Sequence, residues 1–370
     1  MRKILCVVGT RPEAIKMAPV LKALRQDSRA RVRLVATAQH RQLLDQVLGG
    51  FGIQADIDLD LMQKDQSLGA LSGRLLEALD RVLAEENPDA VVAQGDTTTA
   101  LTTALASFYR GIPFGHVEAG LRTGNLASPF PEEMNRLLMS RLACWHFAPT
   151  EAARSNLLGE GVGREKIYLT GNTVIDALLE TAAEQPTLDV ELDRSKKLLL
   201  VTAHRRESFG PRLGEVLRAL CSLVQREPDI EILYLLHPNP NAMQAARQAL
   251  AGCERIVLCE PLAYDQFVAA MIRAHLILTD SGGIQEEAPA LATPVLVLRD
   301  ETERPEAVEA GVAKLVGCDH DRILAECTRL LRQPKAYGEM ARGESPYGDG
   351  MSAQRIAEVL LASRGAQGRR

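Results

Sequence analysis

The sequence lacks the features that mark several large classes of protein. Its 370 residues carry 43 Lys and Arg against 48 Asp and Glu, and a net charge of −5 provides no basic surface for nucleic acid. No apolar run approaches the roughly 20 residues that span a bilayer. The apolar stretch near the N-terminus ends at Gly9, too early for the core of a signal peptide. We therefore expect a cytoplasmic protein that binds neither nucleic acid nor membrane.

Paired cysteines and the common nucleotide-binding signatures are also missing. The seven cysteines are an odd number and none forms a C-x-x-C pair. An odd number of cysteines argues against a disulfide framework, and the short ligand spacing typical of zinc sites is absent, so we expect reduced thiols and no bound metal. No G-x-G-x-x-G or Walker sequence occurs, so nothing indicates a dinucleotide or ATP, and we expect no cofactor.

What the sequence does contain is a regular alternation of strand and helix patterns. Runs such as Ile4–Val8 and Ala90–Ala93 are apolar at successive positions, which is typical of parallel strands buried on both faces. Longer stretches with helical period separate them, and this alternation predicts doubly wound βαβ units. We therefore predict an α/β fold.

The length and one polar stretch predict two domains. Residues 184–197 are polar, contain a proline and show no apolar period, so we interpret them as a boundary loop. A second series of strand and helix patterns follows. We predict two tandem Rossmann-like domains, 1–170 and 171–351, with a C-terminal helix at about 352–370 packing back on the first.

Polar residues that follow the predicted strands are the candidate site residues, since ligands of parallel sheets bind beyond the carboxyl ends of the strands. Cations at a helix start attract phosphate, and a glutamate that directly follows a buried strand indicates chemistry. Structural roles stay open for several of them, because Asp96 also suits a helix cap and Glu132 suits the first turn of a helix. The candidates in the first half are Arg11, Lys16, Asp96, Glu118, Glu132 and Arg136.

The second half of the chain predicts a phosphate cradle. The glycines of Ser281-Gly282-Gly283 lie at a strand-to-helix turn, where backbone N–H groups can approach a pyrophosphate. Glu287, one turn into that helix, could accept two ribose hydroxyls. His204 follows a strand, and Arg304 begins a helix. Carboxylates in the first half and a cradle in the second predict a cleft enzyme that acts on a nucleotide-sugar.

Eight blocks of sequence resemble one bacterial family, the non-hydrolysing UDP-N-acetylglucosamine 2-epimerases. The resemblance covers essentially the whole chain, in the same order as in the family. The blocks are GTRPEAIKMAP (9–19), QGDTTT (94–99), HVEAGLRTG (116–124), PEEMNR (131–136), TAHRRESFG (202–210), TDSGGIQEEAP (279–289), ERPEAV (303–308) and PYGDG (346–350).

This resemblance implies a fold, a reaction and roles for residues. The family has the two-domain architecture of the GT-B glycosyltransferases, with the active site in the interdomain cleft, and usually forms homodimers. It interconverts UDP-GlcNAc and UDP-ManNAc without a redox cofactor, through loss of UDP to a 2-acetamidoglucal, and supplies ManNAc-type sugars for cell-surface polysaccharide.

The implied catalytic residues are Asp96, Glu118, Glu132 and His204, with Arg136 in support. Those implied to bind UDP or the sugar are Arg11, Lys16, Ser281, Gly282, Gly283, Glu287 and Arg304, with Phe267 near the uracil. In some relatives UDP-GlcNAc is also an allosteric activator, and that site resembles Gln39, His40, Gln42 and His237 here.

Three other functions remain open at this point. A glycosyltransferase of the same architecture would bind the same donor and pass the sugar to an acceptor, although the first-half carboxylates outnumber the single base that transfer requires. A hydrolytic epimerase would release ManNAc and UDP. A sensor would bind UDP-GlcNAc without turning it over.

Overall fold

The computed structural model of the chain divides into two compact units. Unit 1 comprises Met1–Ala177 and Tyr347–Arg370, and unit 2 comprises Leu178–Pro346. No helix in the described part of the chain is long and apolar enough to cross a membrane. The structure describes residues 1–37, 41–61, 63, 66–203, 210–236, 239–342 and 345–362, without the side chains of 41–43 and 241.

Unit 1 contains a parallel sheet whose described strands are β1 (Arg2–Val8), β2 (Ala30–Ala36), β3 (Ile57–Asp58), β4 (Ala90–Gln94), β5 (Phe114–Val117), β6 (Trp145–Ala148) and β7 (Ile167–Leu169). Their order is β3-β2-β1-β4-β5-β6-β7. Cys6 of β1 pairs with Leu34 on one side and Val92 on the other. All residues of β4 and β5 are buried, as expected for strands covered on both faces.

Helices connect these strands, and the last described helix returns to unit 1, where it packs against the first helix of the chain. Residues 184–196 form neither helix nor strand. The helices are α1 (Arg11–Gln26), α2 (Arg41–Gly50), α3 (Leu68–Glu86), α4 (Thr98–Tyr109), α5 (Glu132–Leu142), α6 (Glu151–Gly159) and α7 (Thr173–Ala183), and in chain order the last is α15 (Ser352–Ala362).

Threonines begin three helices at the carboxyl edge of this sheet. Thr10, Thr97 and Thr150 are in extended conformation, and each side chain accepts a backbone N–H from the first turn of α1, α4 or α6. Such caps satisfy N–H groups that have no partner inside the helix. The strand-to-helix turns that carry the site residues are therefore fixed locally.

Unit 2 contains a second parallel sheet, in which the described strands follow the order β10-β9-β8-β11-β12-β13. These strands are β8 (Lys197–Thr202), β9 (Ile230–Leu235), β10 (Ile256–Cys259), β11 (Ala274–Thr279), β12 (Val295–Val297) and β13 (Ala313–Leu315). The helices are α8 (Pro211–Arg226), α9 (Pro240–Leu250), α10 (Tyr264–Arg273), α11 (Gly282–Ala290), α12 (Pro305–Glu309), α13 (His320–Arg332) and α14 (Pro334–Met340).

A disulfide bond corrects one prediction from the sequence. Cys221 and Cys253 are bonded, with 5.8 Å between their Cα atoms, so the expectation of reduced thiols throughout was wrong. Their separation of 32 residues belongs to no short motif. The packing of α8 against α9, which the sequence does not reveal, brings the two cysteines together.

This bond predicts the number of thiols that can be alkylated. Denatured protein without reductant should take up five carbamidomethyl groups, at Cys6, Cys144, Cys259, Cys318 and Cys327. After reduction all seven cysteines should be labelled, as intact mass spectrometry would measure. A Cys221→Ser variant should take up six without reductant, and seven labels on unreduced wild-type protein would contradict the bond.

Candidate active site

The candidate site residues of unit 1 follow strands that are neighbours in the sheet. The chain proceeds from β1 to β2 and β3 on one side, and from β4 to β7 on the other. The strand order therefore reverses between β1 and β4, and ligands of open parallel sheets bind at such a point. The turns after β1, β4 and β5 lie side by side there; Asp96 and Glu118 lie in the second and third turns, and Arg11 is the first residue of α1, directly after the first turn.

Glu118 is a buried carboxylate in a strained backbone conformation. Its φ of +64° lies in the left-handed region, which residues with a side chain seldom adopt and which is often found at functional sites. Lys16 Nζ and Asn172 Nδ2 both donate to its Oε1, the latter at 2.8 Å, and Gln94 Nε2 donates to Oε2. These donors come from three different elements, so the orientation of the carboxylate is fixed by the fold.

The ion pair between Lys16 and Glu118 adds to what the sequence predicted. Lys16 was assigned to UDP or the sugar, but its ammonium group contacts a carboxylate that is itself a catalytic candidate. Both side chains are mostly buried, at 14% and 7% exposed. Charges paired out of water interact more strongly than exposed ones, so Lys16 is part of the local charge balance of Glu118.

Arg136 of α5 forms ion pairs with two acidic residues, Asp96 and Glu133. Its Nε and a terminal nitrogen lie 2.9 Å and 2.7 Å from Asp96 Oδ2, while Nη1 lies 3.1 Å from Glu133 Oε2. Burial by itself lowers the pKa of Arg136. The negative charges and hydrogen bonds of Asp96 and Glu133 have a larger effect, so its pKa is raised above the ordinary value. Asn135 Nδ2 also donates to the Asp96 carbonyl at 2.7 Å, so two residues of α5 hold Asp96.

Two adjacent glutamates at the start of α5 have different environments. Glu133 is buried and accepts the backbone N–H groups of Thr123 and Gly124 at 3.1 Å and 3.0 Å, as well as Arg136. Glu132 is half-buried, and its Oε2 is a buried atom without a hydrogen-bond partner among the described residues. Glu133 therefore holds the loop that follows β5, and Glu132 has an oxygen available for a ligand.

Glu13 is a further buried carboxylate, which the sequence analysis did not assign to the site. It accepts the backbone N–H groups of Gly9 and Thr10, each at 2.7 Å, and the hydroxyl of Thr97. Burial raises the pKa of Glu13, and these hydrogen bonds oppose the shift. The pattern T-x-x-E at the start of α1 signals a capping box and could have indicated this role. Glu13 thus ties the turn after β1 to the turn after β4.

Two buried histidines lie in register beneath these turns. His116 of β5 pairs with His146 of β6, and Nε2 of His116 donates to the Gly95 carbonyl at 2.7 Å. Desolvation is the main cause that lowers the pKa of His116 to about 4 and that of His146 to about 3. Both rings are therefore neutral near pH 7, and His116 holds the residue that precedes Asp96.

In unit 2, the predicted phosphate cradle lies at the start of α11. The Ser281 N–H donates to Thr279 Oγ1 at 2.9 Å, and Gln285 Nε2 donates to the Ser281 carbonyl at 3.1 Å. A Cβ at Gly283 would come only to within 3.7 Å of another atom of the chain, an ordinary contact. The described packing of unit 2 does not require this glycine, whose small size suits the predicted approach of a pyrophosphate.

The remaining polar candidates of unit 2 are held by neighbouring side chains. Glu287 is buried, and the Tyr264 hydroxyl donates to its Oε1 at 3.0 Å. Arg304 donates through Nε to the buried carboxylate of Glu286. Phe267 lies in α10, half-buried, three residues after Tyr264. Tyr264 and Glu286 were not assigned from the sequence.

Several predicted residues lie outside the part of the chain that the structure describes. They are His204, Gln39, His40 and His237. Gln42 lies in α2, but the structure does not describe its side chain. Among the described residues, no group of three His, Cys, Asp or Glu side chains is arranged to hold a metal ion.

Comparison with known proteins gives the same family along the whole chain. A family model described as UDP-N-acetylglucosamine 2-epimerase matches residues 22–361. The chain is 52% identical over 372 residues to the UDP-N-acetylglucosamine 2-epimerase of Escherichia coli O157:H7, an alignment that covers 98% of this chain and 99% of the relative.

Solved structures agree with the sequence comparison. The crystal structure of UDP-GlcNAc 2-epimerase from Neisseria meningitidis bound to UDP-GlcNAc has a TM-score of 0.90 and 45% identity, covering 98% of this chain and 100% of that one. A co-structure of Staphylococcus aureus MnaA with UDP has a TM-score of 0.89 and 42% identity, covering 97% and 96%.

The fold and these comparisons define the class and the family. Two parallel sheets with alternating helices make this an α/β protein of two Rossmann-like domains, as predicted. The chain belongs to the UDP-N-acetylglucosamine 2-epimerase family. The family prediction made from the eight sequence blocks is therefore confirmed.

Proposed function

We propose that this protein catalyses the reversible epimerisation of UDP-N-acetylglucosamine at C2 to UDP-N-acetylmannosamine. The observation that supports this most strongly is membership of the epimerase family over nearly the full length, together with a set of carboxylates in unit 1, of which Glu118 is buried. A glycosyltransferase would need one base, whereas Asp96, Glu118 and Glu132 all lie in the turns beside β4 and β5 or at the start of α5.

The chemistry explains why several carboxylates are useful. The C2 proton of the sugar is not acidic, because no carbonyl group adjoins it, and a base in the usual pKa range would remove it too slowly. If the anomeric C–O bond breaks first, positive charge at C1 acidifies the C2–H. UDP leaves, a 2-acetamidoglucal forms, and UDP adds back after protonation of the opposite face.

The described contacts support the proposed division of labour between the two units. Carboxylates in unit 1 stabilise charge at C1 and exchange the C2 proton. The Oε2 of Glu132 suits this role, because it has no hydrogen-bond partner among the described residues. The start of α11 in unit 2 accepts the departing diphosphate through backbone N–H groups, and Glu287 accepts ribose hydroxyls. His204 is proposed to donate to the leaving phosphate, and Arg11 to bind it.

The cellular setting is proposed from the family resemblance. We place the enzyme in the cytoplasm, acting as a homodimer and supplying ManNAc-type sugars for cell-surface polysaccharide. Allosteric activation by UDP-GlcNAc at Gln39, His40, Gln42 and His237 remains a prediction from that resemblance.

Proton NMR of UDP-GlcNAc with the purified protein in D₂O tests the proposed reaction. We expect deuterium at C2 and a growing UDP-ManNAc signal with no metal or cofactor added. Release of ManNAc and UDP would indicate hydrolysis instead. UDP release that depends on an added acceptor would indicate transfer, and binding without C2 exchange would indicate a sensor; each of these outcomes would overturn the proposal.

A further inference from the structure

Asn172 lies between β7 and α7, in a segment to which the family resemblance gives no role. Two contacts of its side chain have different purposes. Oδ1 accepts the backbone N–H of Val174 at 3.2 Å, and this contact helps to begin α7. Nδ2 donates to Oε1 of Glu118 at 2.8 Å, and both residues are buried.

The second contact links Asn172 to the strained glutamate. Glu118 is in a left-handed conformation, so its carboxylate depends on surrounding donors to stay in place. Lys16 and Asn172 share Oε1, while Gln94 donates to Oε2. Lys16 supplies charge, and the amide of Asn172 supplies direction, because a planar N–H group constrains the acceptor more than a rotating ammonium does.

The returning C-terminal segment holds Asn172 in turn. The backbone N–H of Asn172 donates to the Tyr347 carbonyl at 2.6 Å. A Cβ at Gly171, where φ is +86°, would lie 2.6 Å from Ser352 Oγ and 3.2 Å from Gly348 Cα. The PYGDG block and the start of α15 therefore pack directly against the Gly171–Asn172 backbone, a contact for which only glycine leaves space.

We propose that Asn172 is a positioning residue for Glu118, supported by the PYGDG segment. The inference rests on the proposed epimerase function and adds a residue to it. Asn172 acts through Glu118 and binds no substrate itself. Its loss should lower kcat, because the carboxylate is misplaced by a small distance, and leave KM and the affinity for UDP nearly unchanged.

The test uses Asn172→Ser, because serine can still cap α7 while its shorter side chain removes the amide donor to Glu118. We expect kcat for C2 exchange to fall about 10- to 100-fold, the range for loss of a hydrogen bond to a charged group, with KM within about threefold.

The matched control is Asn156→Ser. Asn156 Nδ2 donates at 3.0 Å to the carbonyl of Gly120, two residues after Glu118, and not to its carboxylate. That variant should stay within about threefold of wild type.

A double-mutant cycle distinguishes positioning from a general loss of structure. If Asn172 acts through Glu118, adding Asn172→Ser to Glu118→Gln should lower kcat by no more than about threefold further. Multiplication of the two separate losses would overturn the proposal, and so would equal effects of the Asn172 and Asn156 substitutions.

A second variant covers the case in which the serine variant does not fold. Asn172→Asp keeps the shape and the cap but replaces the donor by an oxygen that repels Glu118, so kcat should fall at least as far. Turnover within about threefold of wild type in that variant would overturn the proposal. An active wild-type enzyme with unaffected variants would refute the positioning role alone, whereas an inactive wild type would refute both proposals.

Discussion

Replacing Glu118 with glutamine is expected to lower kcat by about 10²- to 10⁴-fold, the usual contribution of a positioned acid or base. The glutamine has the same shape, but it offers one acceptor oxygen where Lys16, Gln94 and Asn172 now find two. The amide also cannot take up a proton from C2 or balance positive charge at C1. C2 exchange in D₂O measures the loss.

Binding of UDP by the same variant tells a chemical role from a structural one. The groups proposed to hold the diphosphate and ribose in unit 2 are the start of α11 and Glu287, so the Kd for UDP in calorimetry should change less than about threefold. Glu86→Gln is a matched control, because Glu86 also pairs with a lysine, Lys3, but at the amino-terminal edge of the sheet. Its kcat should be that of wild type. Loss of UDP affinity in parallel with turnover would assign Glu118 a structural role.

The strand-end residues were predictable because the sheet is parallel and the apolar runs of its central strands β1 and β4 were predicted. The polar residue directly after such a strand needs no tertiary information to be noticed. By contrast, β6 was not predicted. Its sequence WHFA is only four residues long and includes the buried His146, so it shows no strand pattern of its own. β5 is as short and also contains a histidine, but the glutamate that directly follows it marks its end.

The partners of the site residues could not be predicted in the same way. Glu132 and Glu133 are adjacent in the same first turn, and only the path of the loop after β5 decides that Glu133 is the buried one. Lys16 is one helical turn from the predicted phosphate site, yet it reaches Glu118, 102 residues away. Contacts over such separations depend on how helices pack on the sheet, which periodicity does not specify.

The second large effect is expected for Arg136→Met, which should lower the free energy of unfolding of unit 1 by about 3–5 kcal/mol, the cost of breaking a buried ion pair by removing one partner. Glu133 is 1% exposed at its side chain and would lose its only ion-pair partner in the described part of the chain. Turnover should fall as well, because Asp96 would lose the guanidinium that orients it.

The measurement can be restricted to unit 1, since the single tryptophan, Trp145, lies in β6 and is buried. Urea denaturation followed by its fluorescence should show the lowered midpoint for Arg136→Met. Arg81→Met is the control: the Arg81–Glu77 pair on α3 is 68% and 72% exposed, and such surface pairs contribute about 0.2–1 kcal/mol.

Arg136→Lys decides which property of the arginine matters. Lysine keeps the positive charge, but as a point charge it cannot donate to Asp96 and Glu133 in the planar arrangement seen here. We expect stability between those of wild type and the methionine variant, and turnover nearer the latter, because catalysis depends on the direction of Asp96 and stability mainly on neutralising Glu133. Full turnover in the lysine variant would mean that charge alone suffices at Asp96, and that the guanidinium geometry has no part in the reaction.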